Sequence, residues 1–207
     1  ICGPDDIRRF RPEREPVRNG MTENYSIRIA QSFKDIAPES WKQLSGTSRN
    51  VEGKLYNPFV SHDFLSSLEV SGSATTKTGW QGHHLLLENE AGDLLGAVPA
   101  YLKNHSKGEY VFDHGWADAF ERAGGHYYPK LQCSVPFTPA TGPRLLVSSA
   151  VDDTIFKPLL ASGIAQVTDR IGVSSAHVTF APDDDIKALT SQDFLHRTDQ
   201  QFHFLNS

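Results

Sequence analysis

From Tyr25 onward, apolar residues recur at spacings typical of folded elements. Tyr25, Ile27 and Ile29 alternate with polar residues, which predicts a half-buried strand. Two helical patterns follow, over residues 35–44 and 61–70, and the second begins with a Ser and Asp capping pair. The first part of the domain is therefore predicted as one strand followed by two helices.

The next stretch predicts a hairpin. Two apolar runs, residues 83–87 and 94–102, flank a short polar turn in which Gly92 can adopt the positive φ that such turns need. Pro99 has no N–H to donate, which indicates an edge position or a bulge. A further strand is predicted over residues 110–112.

The remaining patterns alternate between extended and helical segments. Residues 131–135 and 145–147 are predicted strands, separated by a stiff proline-rich loop. The longest helix pattern runs from Ile155 to Ile171, and Gly172 is a plausible stop. The last predicted elements are a strand over 176–180, a helix over 183–189 and a strand over 194–205. This order predicts an α/β (α+β) fold with one mixed, mostly antiparallel central sheet and flanking helices.

Composition narrows the class of protein. Hydrophobic residues make up 38% and charged residues 22% of the 207 residues, which is typical of a globular chain. The net charge of −5 argues against a partner of duplex nucleic acid, because phosphate binding needs clustered Lys and Arg. The sequence shows no membrane span and no signal peptide, so we expect a cytoplasmic protein. Residues 1–20 are expected to be a disordered leader or upstream sequence, and residues 21–207 a single domain.

Cysteine and histidine usage predicts neither a disulfide nor a metal site. Cys2 lies in the polar leader and Cys133 in a predicted strand, and structural disulfides belong to oxidising compartments. His83 and His84 are adjacent and so face opposite sides of a strand, and the chain contains neither HxxxH nor CxxC spacing.

Five local phrases occur in an order that resembles a known family. They are residues 57–65, 96–103, 108–117, 127–131 and 136–144. Together they are similar to the FemAB-like peptidoglycan biosynthesis or recognition proteins, in which two domains of the GNAT acyltransferase superfamily sit in tandem. The resemblance implies a GNAT-like fold and implies that this chain is the first domain, with the second one missing. It implies transfer of an acyl or aminoacyl group to an amine, on a peptidoglycan precursor or another peptide acceptor.

The donor stays open at this point between acyl-CoA and aminoacyl-tRNA. Acyl-CoA-dependent GNAT enzymes hold the pyrophosphate at a helix N-terminus through a Gly-rich turn, and the chain contains no such turn. Two hypotheses follow. In the first, the chain is an acyltransferase that acts directly on bound substrates without a metal or a covalent enzyme intermediate. In the second, it is a non-catalytic half that binds a peptide or cell-wall precursor. In either case we expect the fragment alone to be inactive and to self-associate.

The best catalytic candidates are Asp113 and His114, just after a predicted strand. His114, oriented by Asp113 or by Asp118, would supply the base for acyl transfer, and Trp116 would contact substrate. The alternative is that Asp113 caps the next helix and Trp116 packs in the core.

A second group of residues is predicted to bind substrate. The group comprises Tyr127, Tyr128, Lys130, Thr141 and Arg144. Arg144 would clamp a carboxylate with its two-pronged guanidinium group. We expect Asp113, His114, Tyr128 and Arg144 to converge on one concave surface. The alternative is a structural loop packed by tyrosines.

Overall fold

Two four-stranded sheets share one long hairpin at the centre of the fold. The structure is a computed structural model that describes residues 24–45, 56–111 and 113–198. The strands of the described residues are β1 (Tyr25–Ala30), β2 (Trp80–Gly82), β3 (His84–Asn89), β4 (Leu94–Val98), β5 (Ala100–Lys103), β6 (Lys130–Cys133), β7 (Leu146–Val147) and β8 (Ala176–Val178). The helices there are α1 (Pro38–Ser45), α2 (His62–Val70), α3 (His114–Arg122), α4 (Asp153–Ile171) and α5 (Asp183–Thr190).

The hairpin crosses from the first sheet to the second at Pro99. β3 pairs with β4 in the first sheet and β2 pairs with β5 in the second, both antiparallel. His83 N donates to Ala100 O at 2.8 Å between the two ladders. Pro99 interrupts the ladder because it has no N–H group. Gly92 closes the turn with a φ of +87°. The predicted hairpin is thus confirmed, and its proline marks the junction of two sheets.

The hairpin strands β4 and β5 have two separate neighbours, β6 and β7, which are joined by a long loop. β6 pairs with β5, where Cys133 lies opposite Ala100, and β7 pairs with β4, where Leu146 lies opposite Ala97. The two strands therefore lie end to end beside the same neighbour. β1 pairs antiparallel with β3, and β8 pairs parallel with β6. These two strands form the outer edge of each sheet within the described residues.

Helix α4 fills the main core against both sheets. Leu160 and Ile164 are fully buried there. Gly163 allows a close approach, because a Cβ at this position would lie 2.0 Å from Ile27 Cδ1. Helices α1 and α2 cover the other face of the first sheet, where the Trp41 indole donates to Val60 O at 2.8 Å. In the described part of the chain, no helix has the length and apolarity needed to cross a membrane.

The predicted fold class, a mixed and mostly antiparallel sheet with flanking helices, is confirmed. The predicted single sheet is divided into two sheets. The strand predicted over residues 110–112 is wrong for its described part, because Tyr110 has a φ of +58°, outside the extended region. Residues 194–198 likewise form no strand, and residues 199–207 lie outside the described part. The leader prediction for residues 1–20, with Cys2, also lies outside it.

Candidate functional site

A polar face on the second sheet holds the strongest cluster of ionisable groups. The residues of β6 alternate, so Leu131 and Cys133 enter the core while Lys130 and Gln132 point to the other side. Gln132 lies opposite His177 on β8 and opposite Tyr101 on β5, so these side chains share the polar face. The segment between β5 and β6, which includes α3, supplies the charged partners of this face.

Lys130 is the centre of a buried ion-pair network. Its Nζ donates to Glu109 Oε2 at 2.8 Å and to Asp113 Oδ2 at 2.5 Å, and the lysine is fully buried. Lys103 is also buried and lies directly opposite Lys130 in the ladder. Two like charges at such positions repel each other. The carboxylates of Glu109 and Asp113 offset that repulsion and make the cluster close to neutral.

Burial and the ion pairs shift the pKa values in this network. Burial raises the pKa of Asp113, but the hydrogen bonds and charge of Lys130 and the Tyr127 hydrogen bond outweigh it, so the pKa lies below its usual value. Burial lowers the pKa of Lys103 to about 8. Asp113 therefore stays ionised at neutral pH and already accepts two hydrogen bonds through Oδ2.

Three further side chains extend the network to the edge of the sheet. The Tyr127 hydroxyl donates to Asp113 Oδ2 at 2.8 Å and lies 3.5 Å from His177 Nε2. The same nitrogen lies 3.0 Å from Ser175 Oγ. Burial, with the hydrogen bond to Asp113, raises the pKa of Tyr127, so the phenol stays protonated. Burial, followed by the nearby Lys130 charge, lowers the pKa of His177 to about 4. The imidazole is thus neutral at neutral pH, with Nε2 placed between two hydroxyl groups.

Several buried acceptors in the cluster have unused capacity. Glu109 Oε1, Asp113 Oδ1 and Gln132 Oε1 accept no hydrogen bond from the described residues. Each is an acceptor atom rather than a donor. A buried polar atom without a partner is unfavourable by about 1–3 kcal/mol. The cluster is therefore suited to a ligand that brings N–H groups.

The structure brings together four of the residues singled out in the sequence. Asp113, Tyr127 and Lys130 are in direct contact, and Tyr128 packs edge-on against Tyr127 with ring centroids 5.0 Å apart. Asp113 stands at the N-cap position of α3, but its side chain makes no capping hydrogen bond. The simple capping alternative is therefore not what the structure shows. The side chain of His114 lies outside the described part.

The other three predicted binding residues do not join this cluster. Arg144 is a correction, because its guanidinium is buried and donates to the chain's own carbonyls. The acceptors are Thr179 O, Gly142 O, Pro143 O and Ala140 O, at 2.8–3.2 Å. Few donors are left for a substrate carboxylate, so the predicted clamp and the predicted convergence with Arg144 are wrong. Thr141 is exposed on the loop after β6. Trp116 is 56% exposed with Arg197 stacked 3.6 Å from its ring, so it does not pack in the core.

The sequence interpretation missed Glu109, Ser175 and His177. A local signal existed for His177, because polar His177 and Thr179 alternate with apolar Ala176 and Val178, as they do in β6. The parallel pairing of β8 with β6 then places His177 beside Gln132. No short motif marks such a pairing in the sequence.

The junction between β7 and α4 does not fit a CoA pyrophosphate. Asp152 is the N-cap of α4, and its carboxylate accepts from Thr154 N at 2.8 Å. Asp153 adds a second acid in the first turn. Anions bind helix N-termini through free N–H groups, and two carboxylates oppose such binding. We therefore assign no step to acyl-CoA at this helix.

The chain is similar to known proteins in both sequence and structure. The profile of the FemAB-like family, described as peptidoglycan biosynthesis/recognition, matches residues 32–207. The search of curated proteins found no match. An acetyltransferase of Trypanosoma brucei is 11% identical, with a TM-score of 0.48 over 88% of this chain and 100% of that one. An aminoglycoside 6′-N-acetyltransferase of Acinetobacter baumannii is 12% identical, with a TM-score of 0.45 over 89% of this chain and 99% of that one. The glucosamine-6-phosphate N-acetyltransferase of Arabidopsis thaliana is 10% identical, with a TM-score of 0.45 over 89% of this chain and 100% of that one.

The family match covers most of the chain and includes strands β2 to β8 and the polar cluster from β5 to β8. Membership of the matched family supports the interpretation of the chain as an acyltransferase. The chain belongs to the FemAB-like family of peptidoglycan biosynthesis/recognition proteins. The structural similarities have TM-scores below 0.5, so the function proposed below rests on the family and on the site.

Proposed function

We propose that this chain is an N-acyltransferase of the FemAB-like type, which transfers an acyl or aminoacyl group to an amine on a peptidoglycan precursor peptide. The observation that carries the proposal is a neutral imidazole beside buried acceptors that lack partners. His177 Nε2 is the proton acceptor, and the unpaired carboxylate oxygens of Glu109 and Asp113 attract an amine. The family match supplies the class of reaction.

Each group in the site has a defined role in this proposal. An amine attacks an acyl carbon only as the neutral base, and it becomes acidic as the new C–N bond forms. His177 accepts the proton that the amine loses and returns it to the leaving group. Tyr127 fixes the imidazole through an edge-on ring contact, with centroids 6.0 Å apart and planes at 86°. Lys130 and Asp113 hold Tyr127 in place.

Acyl transfer by the purified chain tests the proposal. Aminoacyl-tRNA or acetyl-CoA is offered as donor and a lysine-containing stem peptide as acceptor, and the amide product is measured by mass spectrometry. The sequence led us to expect an inactive fragment, but the proposed site lies wholly within this chain. We therefore expect product with aminoacyl-tRNA and at least about 100-fold less with His177→Gln, the usual effect of losing a general base. His196→Gln, at an exposed histidine, is the matched control. Absence of product with every donor would contradict the proposal.

One observation favours a second candidate function. The acidic N-terminus of α4 disfavours an anion at this helix, which is consistent with a recognition half that binds the precursor peptide without chemistry. Isothermal titration with the same stem peptide distinguishes the two. Binding without turnover in the presence of both donors would favour the recognition role.

A further inference from the structure

We propose that Ser175 is an acyl-accepting nucleophile, so that the acyl group passes through a serine ester on the enzyme. This deepens the proposed function and rests on it for the second half of the reaction. It departs from direct transfer between bound substrates, which the sequence led us to expect. Ser175 Oγ lies 3.0 Å from His177 Nε2, the base of the proposed site.

Strand geometry places the hydroxyl and the base together. Ser175 lies directly before β8 and two residues before His177, so both side chains lie on the same side of the strand. Leu131 N donates to Ser175 O at 2.9 Å, which holds the backbone of Ser175 against β6. Both residues are half-buried on an edge strand of the described sheet. The pair is therefore fixed in position and open to a substrate.

The tautomer of His177 determines the direction in which the Ser175 proton moves. Tyr127 uses its single hydroxyl proton on Asp113. Toward Tyr127 the imidazole can therefore act only as a donor, and that contact, at 3.5 Å, is at the limit of a hydrogen bond. The shorter contact is the one to Ser175, and in the tautomer with its proton on Nδ1 the imidazole accepts the Ser175 proton at Nε2. A hydroxyl within reach of a base that a third group orients is the arrangement of an activated nucleophile.

The neighbouring serine provides a contrast within the same segment. Ser174 Oγ donates to Tyr127 O and also lies 3.3 Å from Pro129 O. Its proton is directed at backbone carbonyls, and it makes no contact with His177 among the described hydrogen bonds. Ser174 is thus a structural hydroxyl, and the two adjacent serines form a matched pair for mutation.

The two half-reactions balance. In the first, Ser175 Oγ forms a bond to the acyl carbon as its proton moves to His177 Nε2. The ester bond to the donor breaks, and the departing oxygen takes that proton. In the second, the acceptor amine attacks the serine ester and gives its proton to His177. The C–O bond to Ser175 breaks, and Oγ recovers the proton.

A chromogenic ester tests the step without knowledge of the natural donor. The full chain is incubated with p-nitrophenyl acetate, and acetylated residues are mapped by peptide mass spectrometry. We expect acetyl-Ser175, formed at least about 100-fold more slowly in His177→Gln and absent in Ser175→Ala. Ser174→Ala should be acetylated at the wild-type rate. Ser175→Cys should form a thioester at the same position, and thermal melts show which variants are folded.

The outcomes separate this inference from the proposed function. If Ser175→Ala transfers acyl groups from aminoacyl-tRNA at the wild-type rate, or if Ser174 is acetylated as fast as Ser175, the serine ester is overturned and direct transfer stands. If Ser175 is acetylated in a His177-dependent way but no amine acceptor receives the group, the nucleophile stands and the amine specificity falls.

Discussion

Two histidines, one in each sheet, occupy contrasting networks. His84 on β3 is fully buried, its Nε2 lies 3.2 Å from Glu69 Oε1, and its Nδ1 accepts from Ala100 N at 3.3 Å. His177 on β8 is half-buried, with Nε2 between two hydroxyls. Burial lowers both pKa values.

The two imidazole rings differ in whether a ring nitrogen remains accessible to a substrate. Because a backbone N–H can only donate, Nδ1 of His84 is unprotonated and Nε2 carries the proton toward Glu69. Glu69 Oε2 in turn accepts from Ser32 Oγ at 2.7 Å and from Phe33 N at 2.9 Å. That network is closed and joins α2 to the first sheet. A lowered histidine pKa is therefore not a sign of function by itself; an accessible nitrogen with a mobile proton nearby is the distinguishing feature.

Removal of Lys130, the central cation of the network that includes His177, should have the largest effect on stability. Lys130→Met leaves the buried Glu109 and Asp113 without the cation that hydrogen-bonds to both of them, which we expect to lower the free energy of unfolding by about 3–5 kcal/mol. Urea denaturation measures the change. Lys42→Met is the control, because its ion pair with Glu39 is exposed and should contribute little to stability. Equal effects of the two substitutions would show that the buried network is not structural.

Disruption of the network around His84 and Glu69 should lower stability without affecting catalysis. His84→Ala leaves Glu69 Oε1 and Ala100 N without their His84 partner and opens a cavity, so we expect a loss of about 2–4 kcal/mol in urea denaturation. The acyl-transfer rate per folded molecule should stay at the wild-type value. His177→Gln should show the reverse, a small change in stability and a large loss of rate. If His84→Ala abolished transfer while the protein remained folded, the contrast between the two rings would be wrong.

A fall in pH should produce a smaller loss of stability, through His83 and His177. The pKa values of His83 and His177 are each lowered from 6.5 to about 4, mainly by burial. Below pH 6.5 the unfolded chain takes up protons that the folded chain refuses, so this part of the stability is lost as the pH falls from 6.5 to about 4. His177→Gln and His83→Gln should each lose less stability than the wild type between pH 7 and pH 4.5 in urea titrations. Parallel pH profiles would contradict these shifts.

Much of the fold was predictable because its signals are local. The alternation in β1, the apolar spacing in α4 and the hairpin turn at Gly92 each lie within one element. The strand predicted over residues 110–112 failed because its aromatic and β-branched residues favour extension, whereas Tyr110 adopts a positive φ after the turn at Gly108. The strand propensity of these residues was outweighed there by the close packing of Gly108 against Phe137 and Trp80.

The candidate site was predictable only in part. Asp113, Tyr127 and Lys130 lie near one another in the sequence, so a local phrase was enough to suggest them. Tyr127 and His177 are 50 residues apart, and only the pairing of β6 with β8 brings them together. The prediction that Arg144 clamps a substrate carboxylate was wrong for a different reason. A guanidinium in a stiff polar loop is equally suited to binding its own loop's carbonyls, and residue type does not distinguish the two.

The pairing of Lys103 with Lys130 across the ladder has an evolutionary consequence. Either lysine can be replaced safely only if the negative charge beside it changes at the same time, since Glu109 interacts with both lysines and Asp113 pairs with Lys130. Related sequences should therefore covary at these two positions together with Glu109 and Asp113, and keep or lose the set as a unit. Single replacements should be rarer than joint ones, even where the neighbouring strand residues diverge freely.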